Sequence, residues 1–170
     1  LVAATLQGIL GAKNLVLKIE CYDVSNIQGK FATGSMVAFI NGKPEKNQYR
    51  KFKIRMKNEP NDVAMLKETL ERRFLHPEWK YPDAILIDGG KAQLNVAIKV
   101  KNQKPETKRI KVMSIAKGRQ ELFIENKKMP IPLKSLPQEI YNLVKQLDDE
   151  AHRFAISYHK KLRERKSLGY

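Results

Sequence analysis

A chain of 170 residues that is 42 % hydrophobic is one domain, 1–170, long enough to bury a proper core. Its 33 Lys and Arg against 18 Asp and Glu give a formal charge of +15; this favours a polyanionic partner, although a basic ribosomal or chaperone-like surface would carry the same charge. One cysteine, Cys21, excludes an internal disulfide and any cysteine-based zinc cluster, which makes a reducing cytoplasm the default, and no run approaches the roughly 18 apolar residues of a membrane helix.

The first residues carry no charged region followed by a long apolar one, so no secretory signal is visible. The chain starts without Met and stops in KSLGY after a basic helix, which reads as a piece of something longer. Leu1–Leu10 suits a short helix or lead-in. Leu15–Asp23 alternates, with Leu15, Leu17, Ile19, Cys21 and Asp23 on one face and Lys18, Glu20 and Tyr22 on the other. An Asp on the apolar row of a strand needs a partner, because an unpaired buried charge is costly.

Gly34–Ile40 predicts a second apolar strand, and Asn41-Gly42 a two-residue type I′ hairpin turn. The returning strand, Gln48–Ile54, is densely basic, with Tyr49 and Phe52 interleaved. Protective lysines on an edge strand explain that pattern, and so does a nucleic-acid track. Pro60-Asn61-Asp62 opens a helix with Val63, Leu66, Leu70 and Phe74 as its buried stripe. Trp79, in the loop that follows, reads as a packing anchor.

Ala84–Ile87 is too apolar for a strand with one wet face and suits one buried on both sides at the centre of a sheet. Asp88 stands at its carboxyl end, with Gly89-Gly90 as the turn. Alone, an Asp there serves a turn or a helix cap; it is also where open α/β sheets place their ligands. Lys91–Lys101 predicts a helix with Leu94, Ala97 and Ile98 on one stripe, and Ile110–Ala116 a fifth strand. Glu121–Glu125 and Lys128–Leu133 form a small hairpin that Pro130 and Pro132 restrict to an edge. From Pro137 to about Arg165 runs one long helix. Its stripe is Ile140, Val144, Leu147, Ala151, Phe154, Tyr158 and Leu162, with Asp148, His152 and His159 along one flank.

This order implies an α/β fold, a mixed five-stranded sheet with helices on its faces and a long C-terminal helix. The first strand and the strand ending at Asp88 can then be parallel neighbours, with Asp23 and Asp88 side by side at one edge. Two such carboxylates repel unless a cation lies between them, and oxygen ligands suit Mg²⁺ or Mn²⁺. The long helix can bring His152 to the same edge. Two Asp and one His in so basic a chain point to metal-assisted attack of water on a phosphodiester.

The segments ECYDVSNIQGKFATGSMVAF (20–39), YRKFKI (49–54), PDAILIDGGKAQLN (82–95) and DEAHRFAISYHKKLR (149–163) resemble the UvrC family, the nucleases of bacterial nucleotide excision repair. The resemblance runs from about Ile19 to Ser167 and implies an RNase H-like endonuclease domain that incises damaged double-stranded DNA 5′ to a lesion, leaving a 3′-hydroxyl and a 5′-phosphate. It places the catalytic, metal-holding set on Asp23, Asp88 and His152, with Mg²⁺ or Mn²⁺ as cofactor. An accessory acidic residue falls on Asp62, which serves equally as a residue favoured by the dipole at a helix start. Asn26, where many members have His, takes no role, and Asp148 lies outside the shared motif. The resemblance also implies that the full-length protein meets UvrB, with UvrA upstream. The family's 3′-cutting domain, UvrB-binding segment and helix-hairpin-helix domain have no counterpart in this sequence. Tyr49, Arg50, Lys51, Lys91, Arg153, Lys160, Lys161 and Arg163 are the expected nucleic-acid contacts. The rival expectation is a non-catalytic RNase H-like module that only binds nucleic acid.

Overall fold

The computed structural model of the chain describes residues 1–25, 32–56 and 61–169; the side chains of 158–163 and 166 in the last helix lie outside that description. A helix, α1 (Val2–Leu10), leads into β1 (Lys18–Ser25) and β2 (Thr33–Ile40). The short β3 (Lys43–Pro44) follows, then β4 (Arg50–Lys53) and α2 (Asp62–Arg73). After these come β5 (Ala84–Asp88), α3 (Lys91–Lys101), β6 (Lys111–Ala116), β7 (Glu121–Ile124), β8 (Ile131–Pro132) and α4 (Gln138–Ser167).

All eight strands join one mixed sheet in the order β3-β2-β1-β5-β6-β7-β8, with β4 also pairing along β2. The expected five strands are β1, β2, β4, β5 and β6. The small 121–133 hairpin extends the same sheet, because β7 pairs antiparallel with β6 through Met113↔Ile124 to Ala116↔Glu121. Asn41 and Gly42 both take positive φ, 52° and 77°, as a type I′ turn requires. The return strand is interrupted, however. Lys46–Gln48 coils into a 3₁₀ turn, and β4 then pairs with the far half of β2, Thr33↔Lys53 to Met36↔Arg50.

At the centre, β1 and β5 are parallel neighbours in the register Ile19↔Ala84 to Tyr22↔Ile87, and β6 continues parallel beside β5. Strand β1 starts at Lys18, later than the alternation predicts. The Asp83 carboxylate accepts the Leu17 and Lys18 amide N–H groups at 2.9 Å each, and Leu15 and Leu17 are left exposed.

Both faces of the sheet are covered. Ile19, Cys21, Val37, Phe39, Leu86 and Met113 pack under α1 and α4, which bring Leu6, Leu10, Ile140, Val144, Leu147 and Ala151. On the other face Tyr22, Met36, Ile85, Ile87 and Val112 meet Leu66 and Leu70 of α2, Phe74 just after it, and Leu94, Ala97 and Val100 of α3. The α2 stripe is wider than Val63, Leu66, Leu70 and Phe74: Met65, Thr69 and Arg73 are buried, and Val63 is only half-buried. Gly34 lets α2 come this close, since a Cβ there would lie 2.0 Å from Thr69 Oγ1. No helix among the described residues is long and apolar enough to cross a membrane.

Candidate active site

Three parallel strands end at the same edge of the sheet, and each delivers a charged group there. Strand β1 supplies Asp23. One residue beyond the last β1–β5 pair, Tyr22↔Ile87, stands Asp88 at the end of β5. Lys117 follows directly after β6. Helix α4 crosses this edge and adds Asp148 and, one turn later, His152.

The turn after Asp88 is fixed by its neighbours. Ser114 Oγ donates to Gly89 O at 2.6 Å, and the Gly89 amide donates to Ile115 O at 3.0 Å. Gly89 has φ 154°, and a Cβ there would stand 2.6 Å from Gln93 Cγ, so the position requires glycine. Gln93 Oε1 in turn accepts the Gly90 amide N–H at 3.0 Å, which secures the start of α3.

Asp23 is buried, with 7 % of its surface exposed, and its Oδ2 lies 3.3 Å from His152 Nδ1. Burial and the neighbouring Asp88 charge push its carboxyl up to about 6, against the opposing pull of His152 and Lys117. His152 is mostly exposed and leans from α4 towards this carboxylate. Asp148 is the most enclosed carboxylate of the group, at 2 % exposure, and is likewise raised, chiefly by burial. Lys117 Nζ lies 3.0 Å from Asp148 Oδ2 and 3.4 Å from Asp88 Oδ2. Burial pulls this ammonium down, but Asp148 and then Asp88 outweigh it, so its net shift is upward. Beneath the edge, burial and then Asp148, Asp23 and Asp88 raise the Cys21 thiol well above its usual range.

The structure therefore brings Asp23, Asp88 and His152 to one place. Among the described residues no three His, Cys, Asp or Glu side chains already converge as a metal cage. The donor set nevertheless suits a hard divalent cation: two carboxylates at adjacent strand ends, one of them raised by burial and by the other's charge, with an imidazole beside them.

Asp62 opens α2 and is exposed on its first turn, behind the Asn61 cap whose Oδ1 accepts the Ala64 amide N–H at 2.9 Å. No hydrogen bond or ion pair among the described residues joins Asp62 to the edge. Lys117 was not expected at this edge, and Asp148, placed on the His152 flank, was given no role. Lys117 was discoverable by the rule that singles out Asp88, since it stands at the carboxyl end of the next parallel strand. For Asp148 the signal was its four-residue spacing from His152.

The expected nucleic-acid residues divide. Tyr49 and Arg153 are held within the protein: the Tyr49 hydroxyl donates to Glu150 Oε2 at 2.8 Å, and Arg153 makes two bonds to the same carboxylate at 2.7 and 2.9 Å. The Tyr49 ring meets Phe154 edge-on at 5.1 Å, over which Lys51 Nζ lies at 5.5 Å. Arg50 covers Trp79 at 4.4 Å, and Trp79 stacks on His76 at 4.0 Å, which makes Trp79 an anchor between β4 and the 76–81 loop. Lys91 is exposed on the first turn of α3, next to the Gly89-Gly90 turn. The side chains of Lys160, Lys161 and Arg163, like Asn26, lie outside the described residues.

Residues 7–156 match the family described as the UvrC RNAse H endonuclease domain. The UvrABC system protein C of Dictyoglomus thermophilum is 46 % identical over 171 residues, covering 99 % of this chain and 28 % of that protein. Its counterpart in Methanothermobacter thermautotrophicus is 42 % identical over 152 residues, covering 89 % of this chain and 25 % of that protein. The chain thus spans about a quarter of the length of these relatives. Among solved structures, human ENDOV is similar in outline, with a TM-score of 0.46 and 11 % identity, over 85 % of this chain and 86 % of that one.

Proposed function

The chain belongs to the family of UvrC RNAse H endonuclease domains, and from that premise we propose that it is a divalent-metal-dependent DNA endonuclease module. It hydrolyses a phosphodiester on the 5′ side of a lesion in double-stranded DNA, within an excision nuclease whose full-length protein engages UvrB, with UvrA upstream. The observation that supports this reading most is the pairing of Asp23 and Asp88 at adjacent parallel strand ends, with the Asp23 carboxyl pushed up to about 6 by burial and by Asp88. A module that only binds nucleic acid gains nothing from two converging carboxylates.

In this reading Asp23 and Asp88 hold Mg²⁺ or Mn²⁺ and His152 completes the ligand set. A cation held there would supply Lewis-acid charge at the scissile phosphate and favour attack by water. Ser114 and the glycine turn fix where the Asp88 carboxylate stands. Burial of Asp23, beside β2 in the sheet and next to His152 of α4, keeps its carboxylate poorly solvated, so its attraction for a cation exceeds that of an exposed aspartate. His152 sits on the solvent side of Asp23, where it can bind the cation or move a proton; imidazole is an acceptable donor to Mn²⁺ and a poor one to Mg²⁺. A 5′-phosphate and a 3′-hydroxyl are the products. The setting is the cytoplasm, with Cys21 as a free buried thiol.

Incision assays on Asp88→Asn and His152→Asp test this. Asp88→Asn abolishes incision while DNA binding persists. If His152 is a ligand, His152→Asp keeps appreciable activity and shifts metal preference from Mn²⁺ towards Mg²⁺; if it handles a proton, His152→Asp is as inactive as His152→Ala. An active Asp88→Asn protein ends the proposal.

A further inference from the structure

Nothing in the proposed hydrolysis assigns a task to Lys117 or Asp148, yet they form the tightest ion pair at the edge. Asp148 is almost wholly enclosed, and its Oδ2 has the Lys117 ammonium at 3.0 Å as an ion pair but no directed hydrogen bond. A buried carboxylate with a single cationic neighbour holds that neighbour strongly, because release leaves an uncompensated charge. Asp88 is different. Its side chain is 33 % exposed, water can replace what leaves it, and the ammonium stands further off, at 3.4 Å. One lysine thus spans a carboxylate that cannot let go and a carboxylate that can.

We propose that Lys117 is a built-in counter-cation, anchored by Asp148 and leaning on Asp88, where it competes with the divalent metal for the same carboxylate. This rests on the metal reading above. In the metal-free protein the ammonium offsets part of the repulsion between Asp88 and its neighbours, and a cation arriving at Asp88 displaces it wholly onto Asp148. The strength of the Asp148 anchor then sets how firmly Lys117 occupies Asp88. Asp148 acts on the metal through Lys117, as a positioning residue.

A cycle of variants separates this from charge effects at a distance. Mn²⁺ affinity is measured by isothermal titration calorimetry on the chain without DNA, for the wild type, Lys117→Gln, Asp148→Asn and the double variant. Lys117→Gln should bind Mn²⁺ more tightly, by about fivefold or more, the lower end of couplings between two ligands that bias one site. Asp148→Asn should bind it more weakly, since the freed ammonium settles on Asp88. In the double variant the Asp148 change should have no effect beyond that of Lys117→Gln alone. The double variant pairs two neutral amides, so it keeps the fold in case Lys117→Gln, with its stranded carboxylate, does not; its affinity must then exceed that of Asp148→Asn by at least the same fivefold. An affinity in Lys117→Gln equal to or below the wild type overturns the proposal. So does a weakening by Asp148→Asn that is as large without Lys117 as with it, because Asp148 would then act by charge alone. If no variant, the wild type included, binds Mn²⁺ at millimolar concentration, the metal reading itself fails and this proposal falls with it.

Discussion

Two acidic residues three apart on β1, Glu20 and Asp23, show opposite ways of burying a charge. Glu20 is 0 % exposed and surrounded by donors. Arg73 reaches it with Nε at 3.0 Å and Nη2 at 2.9 Å, the Tyr22 hydroxyl donates at 2.6 Å, and Lys18 Nζ lies 3.4 Å away. Arg73 goes on to bond the carbonyls of His76, Trp79 and Lys80, so the network also shapes the loop between α2 and β5. Among the described residues Asp23 has one hydrogen-bonding partner, a histidine at 3.3 Å, and faces another carboxylate. On the same strand, a charge with every donor in place is architecture, and a charge short of positive partners is a site.

The largest effect that probes this contrast is on the closed side. Arg73→Met strands Glu20 and should cost roughly 3–5 kcal/mol in chemical denaturation, with much of the loss recovered when Glu20→Met removes the orphaned charge as well. A loss below about 1 kcal/mol would show that Glu20 does not depend on Arg73.

On the open side the sign reverses. Asp23→Asn should leave the metal-free protein as stable as the wild type or more so at neutral pH, by up to about 3 kcal/mol at 1.36 kcal/mol per pH unit. The pH dependence follows from the raised carboxyl. Below the ordinary value of 3.8 both folded and unfolded chains hold the proton; as pH rises towards about 6 the unfolded chain loses it first. Wild-type stability therefore declines across that window, and Asp23→Asn should lack that part of the slope. A metal-free wild type that gains stability from Asp23 between pH 4 and 6 would contradict the deficit.

The smallest effect concerns the outer cations. Lys91→Ala and Lys51→Ala should each lower the log K against log salt slope for duplex DNA by about 0.9 if the residue meets a phosphate. Arg153→Ala should do less, because Glu150 already holds that guanidinium. An equal loss for all three would mean that the internal bonds of Arg153 open on binding.

The open half of this contrast was the legible half. The apolar run 84–87 marks a strand covered on both faces, and the alternation of β1 puts Asp23 on its buried row, so their parallel pairing and shared edge follow from the pattern. The closed half was hidden, because the partner of Glu20 lies 53 residues away on α2, and an arginine near the end of a helix reads as solvent-facing. Lys117 was marked only by its place at the carboxyl end of β6, because it opens a 3₁₀ turn where no periodicity marks a side chain as inward. The sheet has eight strands rather than five because the two-residue β3 is too short for alternation to show, and because the expected 121–133 hairpin, β7 and β8, joins the same sheet instead of standing apart. Their pairing is set by the hairpins that carry them.

The central claim is that Asp23 and Asp88 share one divalent cation. Crystals grown with MnCl₂ and measured at the manganese absorption edge test it most directly. The account predicts an anomalous peak with oxygens of both carboxylates at about 2.1 Å and Lys117 withdrawn onto Asp148. A peak that touches neither carboxylate, or no peak at this edge with manganese in excess, would contradict it.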